Sequence, residues 1–215
     1  MTYVKICGLK DPAALSAAIE NGADFVGFVF YPPSSRFIDI EVAAELVKYV
    51  PTTIKIVGLF VNADDRLLRQ VLDHVPLAMI QLHGQETPQR VVEIKNRFGL
   101  PVMKAIAVAG HEDLELVSAY EEVSDWLLFD TKTREHGGSG QTFDWTILQG
   151  RSFQKPWMLA GGLRRDNITE ALSILRPDAV DVSSGVEREK GVKDPEKIRE
   201  FLKLIRKLDK AAEND

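Results

Sequence analysis

The sequence predicts a closed barrel of eight parallel β-strands, each followed by a helix on the outside. Apolar segments rich in β-branched residues occur eight times, and their starts are roughly 21 to 32 residues apart, about one strand plus one helix. No linker or break in composition interrupts them. Eight regular units favour a closed barrel over an open doubly wound sheet, and 215 residues suit one compact barrel.

The eight predicted strands are too apolar for a sheet that has one face in water. The segment Ile54–Val61 is apolar on both faces, which is typical of parallel strands covered by helices. In chain order the predicted strands are Tyr3–Cys7, Asp24–Phe30, Ile54–Val61, Leu77–Leu82, Pro101–Ile106, Asp125–Phe129, Trp157–Ala160 and Asp178–Ser183.

The segments between the strands are predicted to be helices. Three of them open with an N-cap residue followed by proline, at Asp11–Pro12, Thr87–Pro88 and Asp194–Pro195. The last helix carries a one-sided apolar stripe opposite a charged face, and we interpret that face as solvated surface. The stripe consists of Ile198, Phe201, Leu202, Ile205 and Leu208. We expect one domain over residues 1–215, with a frayed tail at about 210–215.

Composition excludes several classes of partner and site. The 27 lysines and arginines against 32 aspartates and glutamates give a net charge of −5, which argues against nucleic acid or an anionic membrane as partner. The single cysteine, Cys7, excludes an intramolecular disulfide and a cysteine-rich zinc site. No apolar run approaches the ~18 residues of a membrane span, and the start lacks a signal-peptide pattern. We therefore expect a soluble, cytoplasmic protein, a monomer or a homodimer.

Unusual residues collect where the predicted strands end, which is where barrels of this kind place their chemistry. Glycines follow the seventh and eighth strands, and loops at these positions commonly bind phosphate through backbone N–H groups. We predict a phosphate site there, with a third glycine segment beyond the sixth strand. Tight turns are the alternative role of these glycines. The candidates are Gly138, Gly140, Gly161, Gly162, Ser183, Ser184 and Gly185.

Cys7 ends the first strand, and alternation along that strand places Lys5 on the same side, toward the barrel interior. A nearby cation would favour the thiolate and lower the pKa of the thiol. A lone cysteine at a strand end is also often a small buried apolar residue. A buried Lys5 needs an acidic partner, and Asp181 on the adjacent eighth strand is the candidate.

Asp130 follows the apolar run Trp126–Phe129. A carboxyl group in such surroundings holds its proton more readily and is able to act as a general acid. Capping, or pairing with Lys132, is an equally consistent role. His83 has no partner at metal-ligand spacing, so we expect no metal site, and the motifs of hydrolase triads and zinc proteases are absent from the sequence.

Several segments resemble the phosphoribosylanthranilate isomerase family of tryptophan biosynthesis, and they occur in the family's order from Val4 to about Lys193. They are VKICGLKDPAAL, DFVGFVFYPPSSR, GLFVN, IQLHGQE, LLFDTKT, GGSGQTFDW, AGGL and VDVSSGVE. The pairing of an early KICG with a late DVSSGVE is highly specific, whereas single glycine loops are shared by many phosphate-binding barrels.

The resemblance implies a TIM barrel that rearranges N-(5-phosphoribosyl)anthranilate, a small anionic phosphorylated substrate, without metal or organic cofactor. Cys7 matches the family's general base and Asp130 its general acid. Arg36 matches the position that binds the anthranilate carboxylate, and Asp181 an acidic residue near the anthranilate nitrogen. Gln81 and His83, within the IQLHGQE segment, are further candidate substrate-binding residues. The glycine and serine candidates would hold the phosphate, with Gly138 and Gly140 closing over the substrate.

Two alternatives are also consistent with the sequence. Other sugar-phosphate barrel enzymes, such as indole-glycerol-phosphate synthase or the histidine-pathway isomerase, would share the phosphate loops. The histidine-pathway family uses aspartates at the ends of strands 1 and 5, where this chain has Cys7 and Ala107. The second alternative is a barrel that binds phosphate without catalysis.

Overall fold

The computed structural model describes residues 1–132 and 142–212, and it contains the predicted barrel. Eight parallel strands pair in chain order, and the pairing of β1 with β8 closes the sheet. The strands are β1 Tyr3–Cys7, β2 Phe25–Val29, β3 Lys55–Phe60, β4 Met79–Leu82, β5 Val102–Val108, β6 Trp126–Thr131, β7 Trp157–Leu159 and β8 Ala179–Val182. All eight predicted strands are confirmed, and no end differs by more than two residues.

Helices cover the outside of the barrel. In the described residues they are α1 Pro12–Glu20, α2 Ile40–Leu46, α3 Asp65–Leu72, α4 Pro88–Phe98, α5 Val117–Val123, α6 Ile168–Ile174 and α7 Pro195–Ala212. The three predicted proline starts are confirmed, and the side chains of Asp11 and Thr87 accept hydrogen bonds from the first turns of α1 and α4. Helix α7 continues through Ala212, so its regular structure extends into the segment where we expected a frayed tail.

The described part of the connection between β6 and β7, residues 142–156, differs from the predicted strand–helix unit. It contains the short 3₁₀ turn Trp145–Leu148 in place of an α-helix. Asp144 caps this turn by accepting a hydrogen bond from the Thr146 backbone. Trp145, Ile147 and Leu148 are buried in the outer apolar layer, so this turn packs against the barrel wall.

The strands separate two apolar layers. The larger layer lies between the strands and the outer helices and includes the stripe of α7, of which Ile198, Phe201, Leu202 and Ile205 are fully buried. The smaller layer fills the barrel interior and consists of Phe25, Val57, Met79, Met103, Ala105, Leu128, Met158, Ala160 and Ala179. Because side chains alternate along a strand, the next interior positions of β1, β4, β6 and β8 are the polar candidates of the sequence analysis.

A small antiparallel hairpin follows the barrel. Strand β9, Glu187–Glu189, pairs with β10, Val192–Lys193, and the first residue of β9 lies opposite Lys193. The 3₁₀ turn Ser184–Val186 connects β8 to this hairpin. The hairpin therefore lies directly after the carboxyl end of β8, beside the mouth of the barrel.

Candidate active site

The carboxyl ends of the strands surround one cleft. Six of the predicted site residues line it together, from four strand ends and the loop after β2: Cys7, Arg36, His83, Asp130, Asp181 and Ser183. Tyr31, Ser34 and the apolar side chains of Val29, Leu59 and Val61 complete its lining. The cleft thus combines a thiol, two carboxyl groups, an imidazole and a guanidinium over an apolar floor.

Cys7 lies at the end of β1 and is almost fully buried. Gly27 on β2 is its partner in the parallel register, and a side chain at Gly27 would come within 3.1 Å of Cys7 Sγ and 3.2 Å of Lys5 Cε. The absence of a side chain at Gly27 therefore leaves room for both groups.

The electrostatic surroundings of the thiol differ from the sequence-based expectation. Burial raises the pKa of Cys7, and the Asp181 carboxylate acts in the same direction. The ammonium groups of Lys5 and Lys193 act in the opposite direction but do not outweigh burial. Lys5 therefore acts on the pKa of Cys7 in the direction that the sequence predicted, but burial outweighs it.

Lys5 has the partner that the sequence predicted. Its Nζ lies 2.9 Å from Asp181 Oδ1, and the two residues are direct neighbours in the register of β1 and β8. Burial opposes the charge of Lys5, but Asp181 and Cys7 outweigh it, so the pKa of Lys5 lies above its ordinary value. Asp181 is consequently held between the ammonium below it and the cleft.

Asp130 is buried on β6 and bound through both carboxylate oxygens. Oδ1 accepts the backbone N–H of Thr131 at 2.7 Å, and Oδ2 lies 3.1 Å from His83 Nε2. His83 Nδ1 in turn lies 3.0 Å from the amide nitrogen of Gln81. The contact between His83 and Asp130 reaches from β4 to β6, across β5. The interior positions of β5 at this level are the small residues Ala105 and Ala107.

The alternative role of Asp130 as partner of Lys132 is not what the structure shows. Lys132 pairs with Asp113 at the surface. Gln81 does not line the cleft. It is fully buried beneath His83, and its Oε1 has no hydrogen-bond partner among the described residues.

Arg36 is buried at the cleft and already carries a carboxylate. Its Nε donates to Glu187 Oε1 at 2.7 Å and its Nη2 donates to Glu187 Oε2 at 2.9 Å. Glu187 also accepts from Lys193 Nζ at 2.6 Å. These cations hold the pKa of Glu187 below its usual range although burial acts against them. Lys193 has its pKa lowered by burial, which Glu187 only partly offsets.

The candidate phosphate residues form two adjoining turns after β7 and β8. Gly161 and Gly162 have positive φ angles, and a side chain at Gly161 would lie 2.6 Å from the Thr131 backbone nitrogen. A side chain at Gly185 would lie 2.0 Å from the carbonyl oxygen of Leu163. Glycine is therefore required at positions 161 and 185 by close packing, whatever the turns bind.

The predicted serine donors differ in their availability. Ser183 Oγ donates to the carbonyl oxygen of Cys7 and accepts from Lys193 Nζ, both at 3.1 Å. Ser184 begins the 3₁₀ turn and is half-buried. Gly138 and Gly140 lie outside the described residues. Among the residues that are described, no group of three or more histidine, cysteine and acidic side chains is placed to hold a metal ion.

The family model for N-(5′-phosphoribosyl)anthranilate isomerase matches residues 4–204. The chain belongs to this family. It is 54% identical over 203 residues to the N-(5′-phosphoribosyl)anthranilate isomerase of Paracoccus denitrificans, covering 93% of this chain and 94% of that protein. The corresponding protein of Rhodospirillum centenum is 50% identical over 204 residues, with coverages of 93% and 95%.

Solved structures of the isomerase family share this fold. The phosphoribosyl anthranilate isomerase of Thermotoga maritima superposes with a TM-score of 0.89 at 40% identity, covering 96% of this chain and all of that one. A second isomerase structure, at a TM-score of 0.84 and 36% identity with the same coverages, was solved with reduced 1-(o-carboxyphenylamino)-1-deoxyribulose 5-phosphate. No helix of the described residues is both long and apolar enough to cross a membrane.

Two charged residues of this isomerase-family site, Glu187 and Lys193, were not among the candidates that the sequence predicted. Glu187 is the last residue of the VDVSSGVE segment, but it lies 151 positions from Arg36 in the chain. The available signal was a charged run, 187–190, directly after a candidate phosphate loop. That signal indicates proximity to the cleft, whereas the partner of each charge depends on how the β9–β10 hairpin folds.

Proposed function

We propose that this chain catalyses the Amadori rearrangement of N-(5-phosphoribosyl)anthranilate to 1-(2-carboxyphenylamino)-1-deoxyribulose 5-phosphate by general acid–base catalysis. The observation that supports this most directly is that one cleft is lined by both Cys7 and Asp130. They lie on β1 and β6, three strands apart around the barrel, so a sugar held in the cleft has an acid on one side and a base on another. Membership of the isomerase family supplies the substrate.

Asp130 is the proposed acid of the first step. Its carboxyl group donates a proton to the furanose ring oxygen, and the bond between that oxygen and C1 breaks. The nitrogen lone pair forms a C1=N bond, which gives an open-chain iminium ion. Asp130 lines the cleft, so its carboxyl group is within reach of a sugar bound there.

Cys7 is the proposed base of the second step. Its thiolate removes the C2 proton, the C–H electrons form a C1=C2 bond, and the iminium electrons return to nitrogen. The resulting enolamine gains a proton at C1 and loses one from the C2 hydroxyl to become the ketone. The sequence of steps is an isomerisation, so it needs no oxidant or reductant. It requires Cys7 to be ionised while Asp130 is protonated.

The remaining cleft residues are proposed to bind the substrate's charged ends. A planar guanidinium suits a carboxylate, so Arg36 is assigned to the anthranilate carboxylate. Asp181 is assigned to the anthranilate nitrogen. His83 on the opposite wall, with Gln81 buried beneath it, is assigned to the anthranilate ring. The backbone N–H groups of the two glycine turns are assigned to the phosphate, with the positive charge of Lys193 behind Ser183.

We propose that the reaction takes place in the cytoplasm. The mechanism needs Cys7 as a free thiol, and it is the chain's only cysteine. Compartments that keep thiols reduced are compatible with such a base.

The decisive experiment follows the loss of substrate fluorescence with purified protein and no added metal. We expect Cys7→Ala and Asp130→Asn each to lower kcat by at least about a hundredfold, the usual contribution of one acid or base. Asp73→Asn, an exposed aspartate after α3, is the matched control and is expected to retain full activity. Absence of turnover in the wild-type chain would favour a non-catalytic barrel, and full activity of either site variant would remove the role assigned to it.

A further inference from the structure

We propose that Glu187 is a positioning residue, which sets the guanidinium of Arg36 in the orientation that binds the substrate carboxylate. This inference rests on the proposed function, and it adds a residue from outside the barrel to the binding site. Glu187 begins the β9–β10 hairpin and is not among the residues that line the cleft. It therefore acts on the substrate through Arg36.

The geometry of the pair fixes the guanidinium. Both oxygens of Glu187 accept from one edge of Arg36, the Nε–Nη2 edge, at 2.7 and 2.9 Å. Two parallel hydrogen bonds define the plane of the guanidinium as well as its position. Both side chains are more than nine-tenths buried, so water does not compete for these bonds.

The orientation has a direct consequence for ligand binding. Because Glu187 binds Arg36 through the Nε–Nη2 edge, a substrate carboxylate that leaves this pair intact meets a guanidinium that is already oriented. A long side chain on a loop otherwise loses rotamer freedom when it binds a ligand. Because Glu187 already orders Arg36 in the folded protein, ligand binding does not have to restrict this side chain further.

Glu187 is itself held from several directions. It accepts from Lys193 Nζ at 2.6 Å and from the backbone N–H of Gly191 at 3.1 Å. Gly191 lies tightly against Ser35, the residue before Arg36, where a side chain would come within 2.4 Å of the Ser35 carbonyl oxygen. The hairpin and the loop that carries Arg36 therefore form one packed unit.

The charges of this unit suit an anionic ligand. Arg36 and Lys193 are two basic groups against the single carboxylate of Glu187, so basic groups outnumber acidic ones in this buried unit. This local excess of basic groups contrasts with the chain's net charge of −5. Without the carboxylate, two buried cations would lie close together, and Arg36 would move away from Lys193.

A different role is compatible with the same contacts. Glu187 lies opposite Lys193 in the register of β9 and β10. An ion pair between them is also suited to holding the two strands of the hairpin together. Loss of a contact that only stabilises the hairpin would weaken the binding of every ligand alike. Loss of a contact that positions Arg36 would weaken only the binding of ligands that carry the carboxylate. This difference decides the choice of probes.

The test measures binding of two ligands to the full-length Glu187→Gln variant. One ligand is the product analogue, reduced 1-(o-carboxyphenylamino)-1-deoxyribulose 5-phosphate, and the other is its counterpart with hydrogen in place of the carboxylate. We expect the variant to bind the first at least about tenfold more weakly, the scale of a lost charged hydrogen bond, and the second less than about threefold more weakly. Glu189→Gln, an exposed position on the same strand, is the matched control and is expected to bind both like wild type.

Two further variants keep the test decisive. In an Arg36→Met background the Glu187→Gln change should have no additional effect on the carboxylate ligand. Glu187→Asp retains the charge on a shorter side chain, and we expect an intermediate loss confined to the carboxylate ligand.

The failure of each proposal has its own signature. Equal weakening of both ligands, unchanged binding or tighter binding of the carboxylate ligand would overturn the role of Glu187. A wild-type chain that does not distinguish the two ligands would instead overturn the proposed contact between Arg36 and the carboxylate.

Discussion

Lys5 and Asp181 form an ion pair inside the barrel, directly beneath the cleft, with Lys5 Nζ 2.9 Å from Asp181 Oδ1. The pair acts on Cys7 with opposite signs, because the ammonium lowers the pKa of the thiol and the carboxylate raises it. Burial is the largest influence and raises the pKa. The balance between these two neighbours therefore tunes how much thiolate is present near neutral pH.

We predict that Lys5→Met raises the pKa of Cys7 further and that Asp181→Asn lowers it. The measurement is the rate of thiol alkylation by iodoacetamide as a function of pH, read by mass spectrometry. Because the chain has one cysteine, the rate reports on this thiol alone, and it needs no enzymatic activity. A thiol with a raised pKa ionises only at higher pH. The ascending part of the alkylation curve should therefore shift to higher pH for Lys5→Met and to lower pH for Asp181→Asn.

The remaining charged groups near Cys7 provide a check on this interpretation. Lys193 lies on the hairpin side and lowers the pKa of the thiol, while Arg36, His83 and Asp130 line the same cleft. They are unchanged in both variants. Shifts of the two curves in the same direction would contradict the opposing roles of Lys5 and Asp181.

The sequence predicted the barrel and most of the cleft for a physical reason. Strand positions follow from local apolar patterns, and a closed parallel barrel brings the strand ends together, so Cys7, Asp130 and Asp181 were predictable as neighbours. The pairing of Lys5 with Asp181 followed from the adjacency of β1 and β8. The connection after β6 was not predictable in the same way, since a 3₁₀ turn and a helix carry similar apolar residues.

Residues outside the strands could not be placed from the sequence. Glu187 and Lys193 depend on how a short hairpin folds over the mouth of the barrel, and no periodicity encodes that. The sign of the net pKa shift of Cys7 was also beyond the sequence. It depends on the depth of burial, which outweighs the neighbouring cations.

We predict that Gln81 fixes the proton position on His83 and thereby the orientation of Asp130. With its amide nitrogen 3.0 Å from Nδ1, Gln81 donates to that atom, so the neutral ring carries its proton on Nε2 and donates to Asp130 Oδ2. Gln81→Glu would instead accept from Nδ1, leaving Nε2 to take the proton that Asp130 should donate to substrate. We expect kcat to fall about ten- to hundredfold with little change in KM.

Nitrogen-15 NMR of the histidine rings checks this assignment directly, because it distinguishes the two tautomers. His83→Gln identifies the signal, and Gln85→Glu, an exposed change in the following turn, is the control. An unchanged tautomer in Gln81→Glu would contradict the proposed role, whatever the effect on kcat.

The last prediction concerns a buried ion pair behind the barrel wall, on the outward face of β5. Lys104 Nζ donates to Glu86 Oε2 at 3.0 Å and to the carbonyl oxygen of Gly84 at 2.7 Å. Glu86 in turn accepts the backbone N–H groups of Gly84 and Asn62. The pair therefore ties together the turns after β3 and β4, and the second of these turns directly follows His83.

We predict that Lys104→Met lowers the free energy of unfolding by about 3–5 kcal/mol, because it leaves the Glu86 carboxylate buried without its cation. The measurement is urea unfolding, with Lys95→Met as control. Lys95 pairs with Asp125 at the surface, so its loss should cost about 1 kcal/mol or less.

The same pair gives a pH dependence with a defined sign. Burial lowers the pKa of Lys104 in the folded chain, and Glu86 only partly offsets this. Between that lowered pKa and the ordinary lysine pKa, the unfolded chain binds more protons than the folded one, so this lysine's contribution to stability rises with pH. Below the lowered pKa the contribution is constant. The difference in unfolding free energy between wild type and Lys104→Met should therefore widen from neutral to alkaline pH, and a difference that narrows would contradict the lowered pKa.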